Sequence, residues 1–172
     1  MKTALIHSEA YKRFDYGPEH PLRMERLGLT FALMEAYGLT RLPDTEVLAP
    51  APAPEAAVRE FHEEAYLEVL RAAGAGAPVP DAYQYGLGPG DNPIWPGVYE
   101  ASVLACGGSI LAADVVARGD AARAFAFAGG LHHALPARAS GFCYLNDAVL
   151  AILALRRHGL RVAYVDIDAH HG

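Results

Sequence analysis

Arg161-Val-Ala-Tyr-Val-Asp-Ile-Asp-Ala-His-His-Gly172 is the stretch on which the fold of this chain turns. It opens with an apolar run, Val162 to Val165, and closes on Asp166, Asp168, His170 and His171. A buried strand of a parallel sheet has this pattern when it delivers polar residues at its C-terminal edge. In an extended segment, side chains two apart share a side, so Asp168 and His170 are predicted to converge, with Asp166 on the same side. One carboxylate oxygen and one imidazole nitrogen suit Zn²⁺ or Fe²⁺. A lone Asp-x-His would read more readily as a buried ion pair at a strand end. Four such residues within six positions favour a metal site.

Outward from that stretch, the chain reads as alternating strands and helices. Thr3 to His7 is a short apolar run predicted as a first strand, and Ser8 to Pro21 as a loop. Leu27, Phe31 and Met34 keep helical spacing within Pro21–Tyr37, with Pro21 suited to the first turn. Residues 41–56 are broken by prolines and read as a connector. Glu55 to Ala73 is predicted helical with a break at Phe61-His62. Residues 74–90 form a long Gly, Pro and Tyr-rich loop, with Asp91 at its tip. Pro96 to Arg118 is a long helix whose Gly107-Gly108 pair points to a close backbone neighbour. Ala122 to Ala128 alternates toward a strand that runs into Gly129-Gly-Leu-His-His-Ala134. Ala148 to His158 is a helix, with Asn146 or Asp147 as its cap. This order predicts a three-layer α/β/α fold around a central parallel sheet.

Bulk properties narrow the class. The chain has 172 residues, 52% of them apolar, with a formal net charge of −6. That is enough for one domain, and it offers no basic surface for nucleic acid or anionic membrane. Cys106 and Cys143 make neither a disulfide framework nor a Cys-x-x-Cys site and read as buried thiols in a reducing compartment. The N-terminus has too short an apolar run for a signal peptide, and Ala101–Ala113 is too short and interrupted to span a bilayer. A cytoplasmic protein is the expectation.

Ligands of open α/β sheets sit beyond the carboxyl ends of the strands. His132-His133 follows one predicted strand, and Asp166, Asp168 and His170 follow the next. Two imidazoles on a Gly-rich turn suit acid–base work beside a metal, although alone they could be unrelated surface histidines. Phe142, between Gly141 and Cys143, could wall a narrow apolar channel or simply fill the core.

Together, Gly129-Gly-Leu-His-His-Ala134, Ser140-Gly-Phe-Cys-Tyr-Leu-Asn-Asp147 and Tyr164-Val-Asp-Ile-Asp-Ala-His-His-Gly172 resemble the histone deacetylase superfamily, most closely its bacterial acetoin utilization type. His20-Pro-Leu-Arg-Met-Glu-Arg26, Phe61-His-Glu-Glu-Ala-Tyr66 and Gly86-Leu-Gly-Pro-Gly-Asp91 fall in the same order, so the resemblance covers nearly the whole chain. It implies an arginase/deacetylase-like fold and a zinc-dependent hydrolase acting on acetyl-lysine in proteins, with Fe²⁺ a possible replacement.

Residue by residue, the resemblance makes Asp168 and His170 two of three metal ligands. His133 matches the base that deprotonates the metal-bound water. His132 matches its stabilising or proton-donating partner, and Asp166 the carboxylate behind it. Asp166 and Asp168 also match a structural K⁺ site. Gly141 and Phe142 match the walls of an acyl-lysine tunnel, Asp91 the rim carboxylate that holds the substrate backbone, and Arg26 an internal cavity.

The family's third ligand, its oxyanion tyrosine and the carboxylate of the second histidine lie downstream of a His-His-Gly like 170–172. Residues 1–172 are therefore expected to be the N-terminal part of a single deacetylase domain, cut after a central strand. Hydrolysis of small acetylated amines such as polyamines, a role restricted to assembly, and a homo-oligomer stay open as alternatives.

Overall fold

The computed structural model describes residues 1–171. Its centre is a parallel sheet of three short strands, β1 (Thr3–Ile6), β2 (Thr45–Leu48) and β3 (Arg123–Phe125), in the order β2-β1-β3. Thr3 lies level with Thr45 on one side and with Arg123 on the other. Between and after the strands come α1 (Glu25–Ala36), α2 (Glu55–Val58), α3 (Glu64–Gly74), α4 (Val98–Ala117) and α5 (Asp147–Arg157). The parallel α/β architecture read from the sequence is the one observed.

Helix α4 organises the packing. Val103, Cys106, Ile110 and Ala113 on it share a core cluster with Leu67 and Leu70 of α3 and Leu150 and Ala154 of α5. Val115, near its end, packs with Ala4 and Ile6 of β1. The Gly107-Gly108 pair does meet a close neighbour: a Cβ on Gly107 would overlap the Ala51 carbonyl oxygen. The Ala53 N–H donates to the Val103 carbonyl at 2.8 Å, stitching that extended segment onto the helix. At 20 residues α4 is long and apolar enough to cross a membrane, contrary to the reading of residues 101–113 as too short, but most of it is buried in this core.

Two further expectations need correction. The proline-rich connector contains β2, because Pro43 and Pro50 flank that strand rather than interrupt it. Its four residues sit at the sheet edge and are too few to show a period. Helix α1 starts at Glu25, so Pro21 lies before its first turn.

The larger correction concerns Arg161–Asp168, the predicted final strand. It joins no ladder among the described residues, and the sheet stops at β3. Val165 and Ile167 are 77% and 93% exposed, so no layer covers the apolar run. At its end two amides turn to local carboxylates: the Asp168 N–H donates to Asp166 Oδ1 and the His170 N–H to Asp168 Oδ1. Such Asp-to-i+2 bonds compete directly with strand pairing.

Candidate active site

β3 gives way at its carboxyl end to the loop Gly129–Ala134, which carries His132 and His133. Asp166 Oδ2 lies 2.7 Å from His132 Nδ1. A carboxylate only accepts, so the neutral His132 ring carries its proton on Nδ1 and leaves Nε2 basic. Asp166 is held in turn by the Asp168 amide and by the Tyr164 hydroxyl at 2.8 Å. Those two donors, then His132, pull its carboxyl down to about 2. Desolvation and then the bond to Asp166 push the Tyr164 phenol up to about 12, so it stays a donor.

The His133 ring lies 4.2 Å from that of His132, centroid to centroid, and 5.9 Å from that of His170. Desolvation, followed by the neighbouring imidazoles, lowers its pKa and favours the neutral, proton-accepting form. Asp168 and His170 meet directly, with Nδ1 2.9 Å from Oδ1. The His170 amide, and then its ring, hold the Asp168 carboxyl below its ordinary value. The predicted convergence is therefore present, produced by tight turns rather than by strand alternation.

Ser140-Gly-Phe-Cys143 forms a two-residue turn closed by reciprocal backbone bonds between Ser140 and Cys143. Both central residues have positive φ, +50° at Gly141 and +70° at Phe142. This is the type I′ pattern, which is strained for a bulky residue such as phenylalanine. The turn stays in place because the Tyr16 hydroxyl donates to the Phe142 carbonyl and the His20 ring meets the Phe142 ring edge-on at 4.7 Å. Gly141 lies flat on His133: a Cβ there would sit 2.5 Å from its Cδ2.

One cavity of about 390 Å³ gathers these groups. Arg26, Asp91, His132, His133, Gly141, Phe142, Asp168 and His170 all line it. Of the residues predicted from sequence, only Asp166 lies behind the lining. Arg26, expected in a separate internal cavity, lines this same one, and partial desolvation lowers its pKa. Asp91 is exposed at the mouth, and its backbone is anchored where its carbonyl meets His20 Nε2 at 3.2 Å.

Asp168 and His170 fit a zinc or iron ion in donor type. Among the described residues, no group of three His, Cys, Asp or Glu is placed to hold a metal ion. The donor chemistry fits, and two ligands are one short of the three usual at a catalytic zinc.

A family model for the histone deacetylase domain matches residues 20–172. The chain belongs to the histone deacetylase family. Acetoin utilization protein AcuC of Bacillus subtilis (strain 168) is 37% identical over 172 residues, covering 99% of this chain and 44% of that protein. Histone deacetylase 3 of Oryza sativa subsp. japonica is 40% identical over 160 residues, covering 91% of this chain and 31% of that protein. An HDAC homologue complexed with SAHA superposes with a TM-score of 0.89 at 33% identity, over 99% of this chain and 46% of that one. The HDAC homologue from Aquifex aeolicus gives 0.82 at 31%, over 92% and 42%. The chain thus spans less than half the length of each of these relatives, and the family and fold expected from its motifs are the ones found.

Several residues that shape this deacetylase-family site escaped the sequence reading. Cys143 and Leu22 line the cavity, and Tyr164 bonds Asp166. His62 is buried; its Nδ1 meets the Pro136 carbonyl, and its Nε2 accepts the Asn146 N–H. Burial lowers its pKa to about 4. A lone histidine beside a helix break carries no periodic signal, so only its three-dimensional neighbours reveal it.

Proposed function

We propose that the protein hydrolyses the acetyl amide of acetyl-lysine in proteins, as a metal-dependent deacetylase. The single observation that carries this reading is the cavity shared by His132, His133, Asp168 and His170 and walled by Gly141 and Phe142. Asp168 and His170 would hold Zn²⁺, or Fe²⁺ in its place, together with ligands beyond the described residues. Such an ion supplies Lewis acidity and a water acidic enough to ionise near pH 7.

The chain's own residues supply the proton handling. His133, kept neutral by its surroundings, accepts a proton from the attacking water. His132, its Nδ1–H fixed by Asp166, presents Nε2 to carry a proton to the leaving amine or to steady developing charge. Gly141 leaves room for the lysine methylenes, and the Phe142 ring packs along them. Asp91 at the mouth accepts the amide N–H groups of a peptide backbone. The same pair of carboxylates, Asp166 and Asp168, is the proposed K⁺ site.

Metal content and turnover of single variants test the roles. Asp168→Ala or His170→Ala should strip bound metal. His133→Ala should abolish turnover and keep the metal. Loss of metal in His133→Ala with retention in His170→Ala would invert the assignment.

A further inference from the structure

The loop that carries His132 and His133 has no helix or strand of its own, and two consecutive side chains at the start of α5 set its shape. Asp147, 2% exposed, turns its whole carboxylate toward it. Oδ1 accepts the Leu131 N–H at 2.7 Å, and Oδ2 accepts the Gly130 N–H at 3.1 Å and the Ser109 hydroxyl from α4. Asn146, 6% exposed, grips the other end. Its Nδ2 donates to the His132 carbonyl at 3.0 Å and to the Ala134 carbonyl at 3.1 Å.

Capping α5 needs less than this. The cap bond uses only Asn146 Oδ1, which accepts the Val149 N–H at 3.1 Å. The Nδ2 donors and the Asp147 carboxylate serve the loop instead. Gly129 completes the fit, since a Cβ there would overlap Asp147 Oδ2. Four backbone groups within residues 130–134 therefore end on two adjacent, buried side chains.

We infer that Asn146 and Asp147 are positioning residues for the His132–His133 pair, setting the two imidazoles against the cavity by holding the loop backbone from both ends. The inference rests on the proposed roles of the two histidines. Neither side chain touches the cavity, so they act through the loop alone. An error of about 1 Å in such a pair can cost about a hundredfold in rate, and nothing else among the described residues anchors these four groups.

Asn146→Asp is the discriminating variant, because it keeps the cap oxygen and turns the two amide donors into an acceptor facing two carbonyls. In the whole protein kcat should fall about tenfold or more with KM changed less than about twofold. The ¹⁵N side-chain resonances of His132 and His133 should shift, while that of His158, at the far end of α5, stays in place. A folded Asn146→Asp with both rings unmoved overturns the inference, whether or not kcat falls. Should that variant fail to fold, Ser109→Ala carries the test, since it removes one donor from Asp147 without touching the loop. It should lower kcat about threefold or more and shift the same two resonances, and unchanged values overturn the inference. His133→Ala runs in parallel: if it retains turnover, the catalytic reading fails, and the ring resonances alone decide whether the clamp exists.

Discussion

Replacing Gly141 with alanine should damage turnover far more than stability, because the added carbon points at the His133 ring, the proposed proton acceptor. A Cβ at residue 141 would lie 2.5 Å from His133 Cδ2, 2.8 Å from Cγ and 3.0 Å from Cβ. Carbon atoms rest about 3.5–4 Å apart, so the ring must retreat by about 1 Å. His133 makes no side-chain hydrogen bond among the described residues, so the ring yields before the backbone does. A 1 Å displacement of a proton-transfer group costs about a hundredfold in kcat. The backbone penalty is separate, about 1–2 kcal/mol for a non-glycine residue in the left-handed region. Gly159→Ala isolates that penalty, because Gly159 has φ +76° and nothing within 4 Å of its would-be Cβ. Denaturant melts of both variants should show similar losses, and kcat on an acetyl-lysine peptide should collapse only in Gly141→Ala. Equal turnover in the two variants would refute the idea that Gly141 positions His133 by contact.

Acid should destabilise the fold through His62. Its folded pKa of about 4 lies below the ordinary 6.5, so the unfolded chain takes up the proton first. The stability due to the neutral ring is complete above pH 6.5 and is lost as pH falls toward 4, about 3 kcal/mol in all. Denaturant titrations between those pH values should give a flatter dependence for His62→Gln, and identical slopes would contradict it. Gly107→Ala forces a methyl onto the Ala51 carbonyl and should cost about 1–3 kcal/mol or more. Gly108→Ala, facing the Tyr11 hydroxyl at 2.9 Å rather than a backbone atom, should cost less; thermal melts rank the two. Asp91→Ala removes the proposed acceptor for peptide amides, a bond worth about 1.5–3 kcal/mol. It should therefore lower kcat/KM for a peptide about tenfold to over a hundredfold and spare a minimal acetyl-lysine. An unchanged ratio between the two substrates would favour the small-amine alternative.

The residue types and their order determined a great deal. Three motifs in sequence, around His132-His133, Gly141-Phe142 and Asp166–His170, identify the family, and the alternation of apolar runs identifies a parallel α/β sheet. The break at Phe61-His62 and the close backbone neighbour of the glycine pair in α4 were both legible in the residues, although which backbone approaches, that of Ala51, is a matter of tertiary packing. What tertiary structure decided are the matters in which distant groups compete for the same hydrogen bonds. Val162–Val165 has the composition of a strand, yet strand formation needs a ladder partner and a covering layer. Here Val162–Val165 finds neither: it joins no ladder among the described residues, and Val165 is 77% exposed. β2 was hidden because its pairing with β1 depends on a neighbour some forty residues away. Asn146 and Asp147 read from sequence as an ordinary helix cap. Only the folded chain brings the Gly130, Leu131, His132 and Ala134 backbone within reach of their side chains, because the loop after β3 lies against the start of α5.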